Sequence, residues 1–384
     1  MSVAAIVFWV SIGLIVYAQL GYGLLLVVWA GLRGSRGGGD AAGSRGSGGA
    51  GGEPVVSLIV AAHDEQEVIG AKVADALALD WPRERLEVIV CCDGCTDLTA
   101  ARAWEAGADL VLELARGGKV RAQNAGVEAG RGELLAFSDA NSTWEPDALR
   151  ALAGAFEEPE VGYACGGVSF ARADGGDNQE GVYWRYELGL RALESRLGSI
   201  TAGNGAIYAT RRDSYIVVDP IMGHDLSLPF KMVKRGWRAV YVAGARAREK
   251  MVPTIEGEFA RKRRMMSHAW PIVVRGGMLS PRGYGPGYAV MIFSHRILRY
   301  ASPGLHVVAF AANCLLLGDG PVYVVCLVFQ VALLAGAALA GRLPARPLLV
   351  ARYYVLTTAS LALGLWDWLR HGTSAAWEAA EGTR

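Results

Sequence analysis

The first residues set the strongest constraint on this chain. Between residues 3 and 32 the only ionisable side chains are Tyr17 and Tyr22. A stretch this long and apolar crosses a bilayer with some tilt. Inside hydrocarbon its backbone polar groups must satisfy one another, so it has to be a helix. No basic residue precedes it and no small-x-small cleavage site closes it, which favours a retained membrane helix over a signal peptide. Further apolar runs occupy residues 303–317 (extendable back to 297), 321–340 and 348–365. The expectation is one N-terminal and three C-terminal transmembrane helices. Arg33, Arg36 and Arg45 follow the first run; His295, Arg296 and Arg299 precede the second; Arg342 and Arg346 separate the last two. The positive-inside rule then puts the segment between the first two runs and the turn between the last two in the cytoplasm of a multi-pass cell-membrane protein, with Asp319 alone marking the turn on the other side.

Composition agrees. The mean hydropathy is positive, at +0.25, and 50 of 384 residues are glycine. A net charge of +1 argues against a nucleic-acid partner, because phosphate binding leaves a basic surplus. Residues 33–53 form a Gly/Ser/Arg tract that reads as a flexible tether. The six cysteines show no disulfide framework and no paired metal knuckles. Cys92-x-x-Cys95 has redox-motif spacing around an Asp93-Gly94 turn; all six are expected to be reduced thiols on the cytosolic side.

From residue 54 to about 285 the pattern is that of a folded domain, followed by a membrane domain over 286–370 and a tail over 371–384. Apolar runs at 55–60, 86–90, 110–112 and 133–138 read as buried strands. Helical patterns at 67–79, from a Thr96 or Asp97 cap to 106, and at 119–129 alternate with them. This predicts an α/β, Rossmann-like and mostly parallel sheet. Three strands end in acids: Asp64-Glu65, Asp93 and Asp139. In a doubly wound sheet those ends share one edge, where ligands bind. Asp139-Ala140-Asn141 offers two oxygen ligands of the kind Mg2+ or Mn2+ takes beside a phosphate-rich substrate; the plainer reading is a turn. Downstream come a helix at 146–157, a strand at 161–171 and a polar loop at 172–179. An amphipathic segment at 182–197, a small-residue turn at 201–206 and a short strand at 207–209 follow. The domain closes with a helix led by Met222-Gly223-His224-Asp225 and running to about 235, with Asp225 readable as its N-cap, then a strand at 239–242 and a basic helix at 256–266.

Six of these segments together resemble the membrane-bound family-2 glycosyltransferases with a GT-A nucleotide-sugar fold, the cellulose- and hyaluronan-synthase-like group. They are Val56 to Glu65, Cys92-Asp93-Gly94-Cys95-Thr96-Asp97, Phe137-Ser138-Asp139-Ala140-Asn141, Gly203-Asn204-Gly205-Ala206-Ile207-Tyr208, His224-Asp225 and Arg261-Lys262-Arg263-Arg264. The resemblance covers residues 54–299. It implies an inverting transferase that moves a sugar from a nucleotide-diphosphate donor, UDP-sugar favoured, to a glycan or lipid-linked acceptor at the bilayer. Cell-surface polysaccharide synthesis is the process it points to. Asp64, Glu65 and Asp93 would contact base and ribose, with Lys119 and Asn124 near the nucleotide. Asp139 would hold the metal, with Asn141 beside it. Asp225 would be the general base, while Asn204, His224, Arg261 and Arg264 complete the substrate site.

The departures bear on function. Asp64 stands where Asn is common, Asn141 replaces a second acid, and His224 replaces Glu before the base. The processive pattern Gln-x-x-Arg-Trp reads here as Arg261-x-x-Arg264-Met265, without its Gln and Trp. Single transfer to a polyprenyl-phosphate carrier is therefore the alternative to polymer synthesis. A catalytically dead nucleotide-sugar-binding membrane protein is the rival from another class. A nucleotidyltransferase would show a Gly-rich basic loop after the first strand, and Ala61-Ala62-His63 offers none.

Overall fold

A computed structural model of the chain describes residues 2–34, 52–171, 179–250, 254–343 and 345–375. Most of the tether, nearly all of the 172–179 loop and the last nine residues of the tail lie outside the described residues. The chain starts with α1 (Val3–Val16) and α2 (Tyr22–Arg33), one helix joined through a π turn at Tyr17–Gly21. The domain then runs β1 (Val56–Ala62), α3 (Ile69–Leu77), β2 (Leu86–Asp93), α4 (Thr99–Glu105), β3 (Leu110–Leu114), α5 (Lys119–Ala129) and β4 (Leu134–Asp139). After it come β5 (Thr143–Trp144), α6 (Ala148–Gly154), β6 (Val161–Ala171), α7 (Gln179–Leu197), β7 (Ile207–Arg211), α8 (His224–Lys234), β8 (Arg238–Lys250) and α9 (Ile255–Val274). The remainder is helical: α10 (Pro286–Met291), a π segment, α11 (Leu298–Leu315), α12 (Pro321–Leu339) and α13 (Arg346–His371).

All eight strands share one sheet in the order β3-β2-β1-β4-β7-β6-β8-β5. The pairs β1–β2, β1–β4, β2–β3 and β6–β8 are parallel; β7 runs antiparallel to both neighbours, and β5 to β8. Apolar residues fill both faces of the central strands, as a sheet covered on both sides requires. Leu58, Val60, Val88, Val90 and Ala136 face α3, α4 and α6. The intervening Ile59, Ala61, Ile89, Leu135 and Phe137 face α5 and α8. Successive strands step outward from β1 to β3, and the chain then returns to lay β4 on the other side of β1. That reversal opens a crevice at the carboxyl ends of β1 and β4, where Asp64 and Asp139 sit.

Among the described residues three helices, Val3–Arg33, Pro321–Leu339 and Arg346–His371, are long and apolar enough to cross a membrane. The expected third C-terminal span is corrected. α11 forms, but its approach carries His295, Arg296 and Arg299, which turn inward instead of flanking a bilayer. His295 is fully buried between Glu194 (2.6 Å) and Glu187 (3.1 Å), and Arg299 pairs with Glu187. Tyr22 donates to Glu194 at 2.6 Å, and Arg296 donates to Thr201 at 2.9 Å. This buried network ties α2, α7, the turn after α7 and the α10–α11 stretch together. Tyr22, Leu26, Leu190, Met266, Ile272 and Tyr288 form the apolar core around it.

Smaller differences have local causes. α4 begins at Thr99, not at a Thr96 or Asp97 cap, although Asp97 accepts from the Thr99 amide at 3.0 Å. α6 starts at Ala148, two residues past Pro146. β8 runs on to Lys250 because β6 pairs with it as far as Ala171, past register shifts at Val161/Tyr163 and Cys165/Gly167. The small and charged residues after Val242 hid that extension from the apolar pattern. α9 reaches Val274, with Pro271 near its end.

Candidate active site

The end of β4 delivers Asp139 to the crevice, and the first residue of α5 delivers Lys119 against it as an ion pair. Burial works against the lysine charge, but the Asp139 carboxylate, with Asp225 and Glu249 beyond, outweighs it and holds Lys119 above the ordinary range. A tight turn joins this pair to Asp225. The Gly203 amide donates to the Asp225 carbonyl at 2.7 Å. A Cβ on Gly205 would lie 3.1 Å from Lys119 Nζ and 3.4 Å from an Asp139 oxygen, so the turn packs directly against the ion pair. Asp225 occupies the first turn of α8, behind Gly223 at the cap position, which corrects the cap reading of this residue. Its side chain is half-buried and has no hydrogen-bond partner among the described residues.

The neighbouring His224 has the opposite fate. It is buried, Tyr208 Oη lies 2.7 Å from Nδ1, and Tyr215 Oη lies 3.3 Å from Nε2. Burial, then the nearby Lys119 charge, pushes its pKa down to about 3. His224 is a neutral ring held inside the domain. Asn124 accepts from Tyr215 at 2.6 Å and belongs to the same chain of contacts. Asn204 is also turned inward, donating to the Gly166 carbonyl and accepting from the Ala206 and Ile207 amides. It shapes the turn that carries Gly203 and Gly205.

The strand-end acids divide in the same way. Asp93 is buried, and its two oxygens accept from the Gly117 and Gly118 amides at 2.6 and 2.9 Å. That carboxylate fixes the loop that starts α5 and so places Lys119. Glu65 is buried, and its carbonyl starts α3 by accepting from Val68 and Ile69. Asp64 is more open, at a backbone φ of 50°, with Oδ1 accepting from the Thr96 amide at 2.7 Å. Asn141 is half-buried in the turn closed by Ser142 N–H to the Asp139 carbonyl.

Of the four basic residues on α9, three have partners. Arg261 chelates Glu258 at 2.7 and 2.8 Å, Lys262 reaches Glu258 and Tyr353, and Arg263 chelates Asp367 on α13. Arg264 is exposed, with no ion-pair partner among the described residues. Sequence reasoning missed Glu249, at the far end of β8. Burial, then the Asp139 charge, raises its carboxyl to about 7. It missed Lys72 too, a buried ammonium donating to the Ser142 carbonyl at 2.7 Å and pairing with Asp75. Nothing in the local pattern marks either residue: strand pairing places Glu249, and the packing of α3 against the turn after β4 places Lys72. The Asp139 carboxylate and the Glu249 carboxyl that it raises, with the Asn141 side chain two residues on, offer the hard oxygen donors that Mg2+ or Mn2+ takes.

Comparison with known proteins gives the family. A profile described as "Glycosyltransferase like family 2" matches residues 54–267. The chain belongs to glycosyltransferase family 2. Among the relatives of this family-2 chain are two proteins named N-acetylglucosaminyltransferase. One, from Rhizobium sp. (strain N33), is 26% identical over 230 residues, covering 54% of this chain and 51% of that protein. The other, from Rhizobium meliloti (strain 1021), is 28% identical over 216 residues, covering half of each. The chain thus spans about half the length of the curated relatives it matches. Among solved structures, the mannosyltransferase PcManGT from Pyrobaculum calidifontis, in complex with GDP-Man and Mn2+, superposes with a TM-score of 0.70. It covers 95% of this chain and 99% of its own at 22% identity, which establishes the GT-A fold.

Proposed function

We propose that this family-2 chain is an inverting, metal-dependent glycosyltransferase acting at the cytoplasmic face of a membrane. Its donor is a nucleotide-diphosphate sugar, UDP-sugar favoured, and its acceptor a glycan or lipid-linked sugar. The observation that carries this reading is the Gly203–Gly205 turn, which touches the Lys119–Asp139 pair at one end and Asp225 at the other. It puts a group that can take a proton beside a group that can face a diphosphate. The mannosyltransferase bound to GDP-Man and Mn2+ supports a nucleotide-sugar donor with a divalent cation. The two N-acetylglucosaminyltransferases support sugar transfer.

In this mechanism Asp225 accepts the acceptor hydroxyl proton as the anomeric C–O bond breaks, and single displacement inverts the centre. A carboxylate is a weak base, so proton transfer and bond cleavage must overlap. Asp139, with Glu249 and Asn141 around it, would hold the cation, which when bound offsets the charge of the departing diphosphate. Lys119 exchanges its Asp139 partner for a phosphate oxygen, and Arg264 meets the diphosphate from α9. Asp64 remains the strand-end acid open enough to reach the base or ribose.

A binding screen against UDP, GDP and their sugars, with and without Mn2+, tests the donor site. Wild type is expected to bind one nucleotide class only with the cation, and Asp139→Ala to lose that binding. Undiminished binding in excess chelator would refute the metal role. Radiolabelled product from membranes, polymeric or lipid-soluble, separates polysaccharide synthesis from single transfer to a polyprenyl-phosphate.

A further inference from the structure

α7 carries two opposed faces. Tyr186 and Leu190 pack against Gly23 of α2, and Tyr186 donates to the Gln19 carbonyl at 2.8 Å, so one face rests on the N-terminal membrane helix. Trp184, Leu188, Arg191 and Ser195 fall on the other at helical spacing. That face covers β6 and β8. The Trp184 indole donates to the Val168 carbonyl, Leu188 lies over Gly167, and Ser195 accepts from the Tyr241 amide at 3.0 Å. Arg191 is only 5% exposed, yet its Nε and Nη1 have no hydrogen-bond partner among the described residues. Its guanidinium lies 5.2 Å from the Trp184 ring centroid, folded back along α7 toward Val168 and Gly167. A buried charge without a partner is costly, and a ligand that pairs with it removes that cost. Tyr163 Oη is a second fully buried group with no partner among the described residues.

Gly167, Val168 and Leu188 also line a cavity of about 370 Å³, together with Tyr241, Arg246 and Arg248. Strand register pairs Gly167 with Arg246 and Ser169 with Arg248, so small residues of β6 lie beside the arginines of β8. Arg248 pairs with Glu145 in the cavity wall at 2.5 Å, while Arg246 is exposed with no ion-pair partner among the described residues. With Arg191 behind the wall, positive charge is in surplus there. The cavity backs onto the 201–205 turn. Asn204 donates at 2.7 Å to the carbonyl of Gly166, the neighbour of Gly167. A Cβ on Gly203 would lie 2.0 Å from Tyr163 Oη, and the Gly203 amide donates to the Asp225 carbonyl.

We propose that this cavity, with Arg191 behind it, binds a phosphate group carried by the acceptor. A guanidinium fork matches phosphate oxygens, and a phosphate dianion balances the surplus charge. The phosphate is a handle, so no bond forms or breaks in the cavity; it would hold the attached sugar beside the turn that carries Asp225. α7 alone separates this face from α2, which suits a phosphate borne by a lipid; a soluble sugar phosphate offers the same chemistry. The acceptor role rests on the transfer reading, whereas the binding itself does not.

The test uses the full chain in nanodiscs of neutral lipid, without nucleotide or divalent cation and with unloaded discs as the blank. The probes are geranyl phosphate, inorganic phosphate and geraniol. Geranyl phosphate is expected to saturate at one equivalent and geraniol not to bind. Arg191→Gln should weaken that binding by roughly ten- to hundredfold, the loss of a charge-assisted contact. It also removes an unpaired buried charge, so its thermal midpoint should be no lower than that of wild type. Arg246→Ala, at an exposed position, should weaken binding in the same direction and guards against a folding defect in the first variant. Asp139→Ala and Asp225→Asn should leave binding unchanged, so failure of the transfer reading is told apart from failure of this one. Tighter binding of geranyl phosphate than of inorganic phosphate assigns the handle to a lipid, and equal binding assigns it to a soluble acceptor. No saturable binding of either phosphate by wild type, or binding undiminished in both arginine variants, would overturn the proposal.

Discussion

Two charged clusters lie at opposite sides of the 201–205 turn, and they are built on different terms. The junction cluster of Glu187, Glu194, His295, Arg296 and Arg299 is buried, with both acids paired to basic partners and the contacts spread over four chain segments. The crevice cluster is left incomplete. The Asp139 charge raises Glu249, the Asp225 side chain has no hydrogen-bond partner among the described residues, and Arg264 stands exposed. Both are patches of charge in the sequence. Satisfied charge in a low-dielectric place fixes geometry, whereas charge left unsatisfied at a crevice is available to a ligand.

Breaking the crevice side should have the largest effect. Asp225→Asn keeps the shape of the side chain and removes the base, so turnover should fall by about 10²–10⁴-fold. Nucleotide affinity and thermal stability should stay near wild type. Steady-state rates beside a nucleotide titration check this, and a variant with normal turnover removes Asp225 from the base role.

The junction should respond the other way round. Glu194→Ala strips the fully buried carboxylate that His295, Tyr22 and Thr201 share. Removing one partner of a buried pair leaves a stranded charge, and the cost is about 3–5 kcal/mol of stability. The expected result is a large drop in thermal midpoint in detergent. Membranes in which the variant remains folded should retain donor binding. A midpoint within a degree of wild type would make this cluster ornamental.

A pH scan sharpens the contrast between the adjacent residues His224 and Asp225. His224 is held neutral in the fold with its pKa down to about 3, below the unfolded value of about 6.5. The unfolded chain therefore binds more protons between those values. The stabilisation is complete above pH 6.5 and drains away as pH falls toward 3, by on the order of 3–5 kcal/mol across that window. His224→Gln should flatten this slope and lower stability near neutrality, with the thermal midpoint followed against pH as the measurement. A wild-type midpoint level from pH 7 to 5 would contradict the burial.

The parallel part of the sheet was legible because β1 to β4 are apolar runs with a polar stop, and those runs are what both faces of a parallel sheet demand. Asp64, Asp93 and Asp139 announced the binding edge because strand ends can be read one at a time. The purpose of each acid was not legible. Asp93 and Glu65 look like Asp139 in the sequence, yet backbone amides hold one and a helix start buries the other. Which acid stays open depends on loops folding back from elsewhere. Glu249 was missed for the same reason, since it reaches Asp139 only through the long pairing of β6 with β8. The span count erred because His295, Arg296 and Arg299 read as flanking charges until Glu187 and Glu194 on α7 were seen to receive them.

The smallest predicted effect discriminates within one helix. Arg263 and Arg264 are adjacent, and composition cannot tell them apart. Arg263 holds Asp367 at 2.6 and 2.7 Å from a largely exposed position. Such a pair is worth about 0.2–1 kcal/mol, so Arg263→Ala should lower the thermal midpoint slightly and leave donor affinity alone. Arg264 has no ion pair to lose, so Arg264→Ala should not destabilise the protein, yet it should weaken diphosphate binding. A charge-assisted hydrogen bond contributes roughly 1.5–3 kcal/mol, which is about a ten- to hundredfold change in nucleotide affinity. If the two variants exchange phenotypes, the assignment on α9 is inverted: the side chain paired in this structure would be the one that releases its acid to meet the donor.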